Sequence, residues 1–537
     1  MRQFLFSLCL LSGLALSADK PNPQLSLERL YVKREFSAKG YGVKWLEAGQ
    51  GYARLEKSNG TKDAQDIVQI DPATGKKETL VEAKALIPEG AKKPLAVSGY
   101  TFTKDLKKVL IYTNTRRVWR VHSRGDYWVL DRASGKLHKL GGKEAKGATL
   151  MFAKFSPANN HHVAYVRERN VYMEDLTSGK VTALTKRRKD TVINGTFDWV
   201  YEEELGLRDG FRWSPDGKSI AYWQLDEEGV KEMTMLNHVP GNYPQIIQFR
   251  YPKVGETNSR CRIGVVPATG GETKWVQVAG DSREHYLARM EWADNSTQLL
   301  IQRLNRLQNH NTVLLAEAAT GKSRTVYTDK DDAWIEVRFG FTDWVDDQFT
   351  YVSEREGWRQ LYMISRDGDS RKVTRGKYDI VRMLKVDAAN NCAYFIASPK
   401  NATERYLYRI GLDGKGLKQL SPAKQRGSHS YSISPDYQWA VHTFSSIQSP
   451  PVTQLINLPT HETVRVFEDN KALRTKVRTL AQPKREFFKI DIGDGVEVDA
   501  YAVLPPKLDR TKKYPIFIYV YGEPAGQTTV NRWSGPG

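Results

Sequence analysis

The sequence predicts a mostly β fold: about eight four-stranded blades of a β-propeller, followed by the opening of an α/β domain. Three observations predict it. A phrase made of an aromatic residue, a Ser-Pro-Asp-type turn and a run of alternating aromatic and β-branched residues recurs along most of the chain. The composition, with 13 Trp, 26 Tyr and 18 Phe, favours strands and large aromatic cores. The pattern then changes after about residue 483, where a hairpin is followed by a continuous apolar run.

In chain order, residues 1–18 read as a signal peptide. Arg2 supplies the positive start, and Phe4 to Leu16 form an apolar run. That run is shorter than the ~20 residues needed to span a bilayer. Ala15-Leu16-Ser17-Ala18 offers small residues for cleavage after Ser17 or Ala18; an uncleaved anchor is the alternative. The expected location is periplasmic or secreted. Residues 19–40 form an N-terminal segment.

Residues 41–482 carry the repeats. Weak copies start near Lys44-Trp45 and Phe102-Thr103, and the turns Asp71 to Lys76 and Asp131 to Lys136 close them. Phe155-Ser156-Pro157 leads into Val163 to Val166. Trp213 to Gly217 leads into Ile220 to Trp223, and Trp292-Ala293-Asp294 into Leu299 to Ile301. Trp344 to Asp347, Val386-Asp387 and Ser434-Pro435-Asp436 open the last three copies. Runs of this kind separated by Asp, Gly and Asn turns are hairpin signatures. Each copy is the length of one four-stranded blade, which cannot bury its faces alone; stacking blades in a ring buries them. A long array of β-sandwiches is the alternative.

Residues 483–537 differ. Phe487 to Pro506 alternates like a hairpin, Lys507 to Lys513 is a charged turn, and Tyr514 to Gly522 is continuously apolar. Such a run is expected of a strand buried on both faces. This order matches the start of an α/β-hydrolase domain, cut off after its first strands.

The net charge of +19 is spread along the chain, and its densest run, Lys186-Arg187-Arg188-Lys189, is short. We therefore read the charge as a surface property and expect no nucleic-acid partner. Outside the signal only Cys261 and Cys392 remain, which is not a disulfide framework, although one bridge stays open. His161-His162 reads as a solvated turn. No metal-ligand spacing and no phosphate-cradling glycine loop is visible, so no cofactor is expected. Four N-x-S/T sequons, at Asn59, Asn194, Asn295 and Asn401, carry little information without a host.

The most informative stretch is Asp198-Trp199-Val200-Tyr201-Glu202-Glu203-Glu204. Three adjacent carboxylates repel, and ionising all of them requires water or a cation. A ligand ammonium is one such cation. The other reading is an acidic helix start, where carboxylates favour the dipole.

With this stretch, the phrases WSPDG (213–217), YPKVGETN (251–258), HYLARMEW (285–292), LNRLQN (304–309), SEREGWRQLY (353–362) and LPPKLDRTKKYPIFIYVYGEPAGQ (504–527) occur in order. The ordered set resembles the dipeptidyl peptidase IV branch of the prolyl oligopeptidase family. The resemblance implies that Glu203 and Glu204 bind a peptide's free amino terminus, and that Arg120 holds a substrate carbonyl beside them. It implies that the Tyr521 hydroxyl is an oxyanion donor. The partners are then peptides with a free N-terminus, and dimers are common in the family. The chain departs from its relatives at Glu523, two residues after Tyr521.

Acyl transfer by a serine needs a nucleophile, a base and an acid that orients it. The chain has no G-x-S-x-G elbow. Ser534 lacks the preceding glycine and any downstream base. The expectation is the N-terminal, substrate-gating part of a serine dipeptidyl peptidase with Pro or Ala preferred at the second position. It would need about 200 further residues, the size of a typical domain, and be inactive alone. The competing expectation is a noncatalytic propeller that binds peptides or envelope components.

Overall fold

The computed structural model describes residues 24–47, 49–337, 343–481, 483–522 and 526–535. The expected signal peptide and Glu523 lie outside these residues. Antiparallel strands dominate. Among the described residues, units of four or five strands follow one another over 44–81, 99–139, 150–183, 192–275, 285–330, 344–372, 380–419 and 428–468. We number them as the first to eighth sheets; a single pairing, Gly125 with Leu150, links the second to the third.

The repeated turns explain why each copy folds alike. At Thr103, Ser214 and Ser434 a hydroxyl donates to the carboxylate two residues on, Asp105, Asp216 and Asp436. That carboxylate in turn accepts a backbone N–H at Lys107, Lys218 or Gln438. The Asp71 to Lys76 and Asp131 to Lys136 turns work differently. There the aspartate accepts the N–H and the hydroxyl of Thr74 or Ser134. Such local side-chain bonds are why Asp, Ser and Thr punctuate strands.

Sheets bury their faces against neighbours in sequence. Leu300, Val313 and Leu315 of the fifth sheet pack with Phe349, Tyr351 and Tyr362 of the sixth. Leu361 and Met363 of the sixth pack with Ile380, Ala393 and Phe395 of the seventh. Tyr394 and Leu407 of the seventh pack with Tyr431 and Ile433 of the eighth. The eighth also meets the first: Phe467 joins the cluster of Tyr52, Val68 and Ile70, Tyr41 stacks on it at 4.1 Å, and Trp45 Nε1 donates to Ser432 O at 3.0 Å.

The fourth sheet is irregular. Val192–Asn194 and Phe211–Trp213 pair along the same partner strand, Ser219–Asp226. One strand is therefore interrupted by residues 195–210. Gly195 and Gly210 pinch the neck of this insertion. Gly210 N–H donates to Gly195 O, and a Cβ on Gly210 would lie 2.6 Å from the Gly195 carbonyl carbon. A second excursion, the hairpin Glu232–Asn237 with Gln245–Arg250, forms its own two-stranded sheet.

After the eighth sheet come a helix, Lys471–Arg478, and the expected hairpin, Lys484–Asp491 with Glu497–Leu504. The expected buried strand at 514–522 does not form. Ile516 is 85 % and Phe517 90 % exposed. A strand of this type is buried only by flanking strands and covering helices, and among the described residues none pairs with it. Residues 526–535 return to the seventh and eighth sheets, where Asn531 N–H donates to Thr403 O and Asn531 Oδ1 accepts Ile447 N–H. Cys261 and Cys392 are both free and buried, in different sheets. No helix among the described residues is long and apolar enough to cross a membrane.

Candidate functional site

The insertion in the fourth sheet carries a single-turn helix, α1 (Trp199–Glu203). Asp198 caps it: its carboxylate accepts the Tyr201 N–H at 3.0 Å and the Ser259 hydroxyl at 2.7 Å. The cap is buried, and burial pushes its carboxyl above the ordinary value. Tyr201 anchors the turn from below. Its hydroxyl accepts the Leu287 N–H at 3.1 Å, where the first strand of the fifth sheet bulges between Leu287 and Arg289. Phe197 stacks on it, and Val200 joins the core shared by the fourth and fifth sheets.

Glu202 lies in the first turn beyond the cap, Glu203 is the last helical residue and Glu204 caps the other end. An acidic helix start fits Glu202, but it does not account for Glu203 and Glu204, because favourable dipole interaction is confined to the N-terminal turn. Their surroundings differ sharply. Glu202 is buried and accepts from Arg208 Nε at 3.2 Å. Burial raises its pKa, opposed by Arg208. Glu203 is partly exposed and forms a two-point pair with Arg120. Nε donates to Oε2 at 2.8 Å, and Nη2 meets Oε1. The Arg120 hydrogen bond holds the Glu203 carboxyl below its ordinary value. Glu204 is exposed, and among the described residues its carboxylate has no partner.

Arg120 sits on the two-residue turn between the long strands Lys108–Val118 and Val121–Asp131, where Val118 pairs with Val121. Trp119 takes a left-handed backbone, φ +48°. Hairpin turns of two residues need such a conformation and usually place glycine there. Arg117 Nε donates to Trp119 O at 2.9 Å, so this neighbouring arginine braces the turn. Of the three arginines in the run, Arg120 is the one that reaches Glu203. Its guanidinium is held above the ordinary value, first by the Glu203 hydrogen bond, and the Tyr521 phenol contributes the last and smallest influence. Tyr521 is 63 % exposed. It thus lies in the electrostatic surroundings of Arg120, far away in sequence.

Glu203 and Arg120 are in direct contact, Tyr521 is exposed and bears on Arg120 only through its weak electrostatic influence, and Glu204 follows Glu203 with its carboxylate in solvent. Ser534 stands apart. Its neighbour Trp533 donates through its backbone to Ser445 Oγ at 3.3 Å, and no histidine among the described residues bonds Ser534. Sequence reasoning missed Arg208, which draws Glu202 away from the site, and the capping role of Asp198. The cap had a signal: an aspartate directly before a helical turn. The Arg208 pairing had none, since its six-residue offset is set by the loop that follows α1.

Residues 103–451 match the family model for the dipeptidyl peptidase IV (DPP IV) N-terminal region. The chain is 26 % identical to dipeptidyl peptidase 4 of Trichophyton rubrum over 555 residues, covering 99 % of this chain and 69 % of the relative. It is 25 % identical to dipeptidyl peptidase 4 of Trichophyton equinum, covering 98 % of this chain and 69 % of the relative. Among solved structures, that of Porphyromonas gingivalis dipeptidyl peptidase 4 superposes with a TM-score of 0.87 at 25 % identity, over 96 % of this chain and 72 % of that one. With the matched region spanning most of the successive sheets and α1 inside it, the chain belongs to the dipeptidyl peptidase IV N-terminal region family.

Proposed function

We propose that this chain is the substrate-gating part of a serine dipeptidyl peptidase, the part that admits only peptides with a free amino terminus. One observation carries the reading: the Glu203 carboxylate is kept ionised by a two-point pair with Arg120, while the next residue, Glu204, is exposed and free to offer a second carboxylate. An ammonium has three donors, and two carboxylates take two of them. Charge-assisted bonds of this kind contribute about 1.5–3 kcal/mol each. A blocked amine offers neither charge nor donors and leaves both carboxylates unneutralised.

Arg120 has five N–H donors, of which Glu203 takes two; the others can hold the first carbonyl of the bound peptide. The Tyr521 hydroxyl supplies a donor to the oxyanion that forms one step further along the peptide. Holding the amine at a fixed place sets the distance to the scissile bond, so the cut releases dipeptides. The preference for Pro or Ala at the second position is carried over from the family. The architecture proposed for residues 41–482 is an eight-bladed β-propeller. Its support is the succession of eight antiparallel sheets, with shared cores between neighbours and contacts from the eighth back to the first. Residues 483–537 are proposed to open the peptidase domain, and residues 1–18 to direct export.

The test uses the full chain and the tripeptide Ala-Pro-Ala, free and N-acetylated, by calorimetry. The free peptide is expected to bind and the acetylated form to be rejected; replacing both Glu203 and Glu204 by Gln should erase that preference. Equal binding of both peptides by the unaltered chain would end the reading.

A further inference from the structure

Neither element that bears the Arg120–Glu203 pair is rigid by itself. The Trp119–Arg120 turn lies at the end of a hairpin whose register shifts twice, between Thr113 and Arg116 and again before Arg117. Its tip is exposed, with Trp119 43 % accessible. Helix α1 is one turn long. Isolated two-stranded hairpins and single helical turns are marginal in water. Something must hold the tip against the helix if the pair is to keep its two-point geometry.

The hairpin Glu232–Asn237/Gln245–Arg250 supplies such a tie. Phe249 packs edge-on against Trp119, ring centroids 4.8 Å apart at 63°. Two residues on, Tyr251 packs against Trp199, the first residue of α1, at 4.2 Å. Phe249 and Tyr251 contact each other at 5.9 Å. The four rings form a continuous chain from the residue before Arg120 to the helix of Glu203. The base of the hairpin is itself fixed: Tyr251 N–H donates to Lys231 O at 3.0 Å. Arg250 pairs with Glu232 at 3.5 Å and reaches Glu227 at 4.0 Å, and Glu227 accepts from Arg169.

We propose that Phe249 and Tyr251 are positioning residues, which clamp the Arg120 turn and α1 at the separation that the two-point pair requires. The inference rests on the reading of Glu203 as the ammonium holder. An edge-to-face pair adds about 0.5–1.5 kcal/mol beyond area burial. Losing one is therefore expected to weaken the preference for a free amine by about threefold to tenfold.

The full chain is compared as the unaltered form, F249A, F249Y and E203Q, each titrated with Ala-Pro-Ala and its N-acetylated form between pH 4 and 7. The expected result is a threefold to tenfold drop in the free-amine preference for F249A, with the melting temperature nearly unchanged, and recovery in F249Y, which keeps the ring. F249A is also expected to lose its preference at a higher pH on acidification. Without the turn held in place, Glu203 is left facing Arg208 and Glu202 with less help from Arg120. Should F249A melt more than about 5 °C lower, F249L carries the same comparison with the same expected loss. If E203Q abolishes the preference while F249A or F249L keeps both its size and its pH profile, the positioning role alone is wrong. If F249Y loses as much as F249A, the ring contact is not the cause, and the inference also fails. If E203Q leaves the preference intact, the ammonium reading falls and this inference with it.

Discussion

A carboxylate that holds an ammonium must stay ionised and must keep lone pairs free. Glu203 meets the first condition through Arg120, which holds its carboxyl below the ordinary value, and Glu204 meets the second through exposure. Replacing Glu203 by Gln should weaken binding of a free-amine tripeptide by about tenfold to a hundredfold, read by calorimetry at pH 7. The pH dependence has a definite sign. A carboxyl with a depressed pKa contributes above its ordinary titration range and loses that contribution as pH falls through the depressed value. Binding should therefore persist below the ordinary glutamate range in the unaltered chain, and fade at a higher pH in Arg120→Ala. Identical profiles for the two would show that Arg120 does not set the charge of Glu203. The sequence made the three glutamates and Arg120 legible as a set. Composition could not assign them different tasks; the resemblance set Glu203 and Glu204 apart, and in the structure burial and Arg208 distinguish Glu202.

At the scale of the element, α1 depends on its cap. Asp198→Ala removes an N-cap and leaves the Ser259 hydroxyl without its acceptor, with an expected loss of about 0.5–2 kcal/mol in denaturant unfolding. It should also loosen the free-amine preference, because the glutamates ride on this turn. The eighth sheet offers a second measurement. His429 Nδ1 and His442 Nε2 lie 2.9 Å apart, and Tyr431 OH bonds His461 Nε2 at 2.8 Å. Burial pushes His429 down to about 4, and His442 well below its ordinary value. An unfolded chain takes up these protons from about pH 6.5 downward, whereas the folded chain resists until near 4. Stability should thus fall on acidification from about pH 6.5 to 4. Replacing His429 and His442 by Gln should flatten that slope, as followed by urea midpoints. An unchanged slope would place the acid sensitivity elsewhere. The turns of these elements were legible because Ser, Thr and Asp bond their own backbone. The ring contacts of the hairpin 232–250 were not, since they depend on which distant tip it meets. The apolar run 514–522 reads as a buried strand from composition alone, but burial comes from neighbours that no local pattern supplies.

Across the whole molecule, each sheet is stabilised by the next, and the last by the first. Contacts between the eighth sheet and the first include Tyr41 stacked on Phe467, Phe467 edge-on to Tyr52, and Trp45 bonded to Ser432. Replacing Phe467 by Ala removes one half-buried ring and its stacking partner's support. It should cost about 1–3 kcal/mol, measured as a lower denaturation midpoint. No change would mean that the eighth sheet does not depend on the first. The β character of the repeats was legible because several copies share one turn chemistry, as at Thr103, Ser214 and Ser434. The interruption of the fourth sheet was not, because the inserted α1 looks like any other segment between two strands, and only the Gly195–Gly210 neck reveals how it is carried. That interruption brings Glu203 to a turn from the second sheet. The most direct test of this convergence is a crystal structure of the chain with bound Ala-Pro-Ala. The account predicts the peptide's amino nitrogen about 3 Å from carboxylate oxygens of both Glu203 and Glu204, with its first carbonyl facing Arg120. A peptide bound elsewhere, or with its amino end in open solvent, would contradict it.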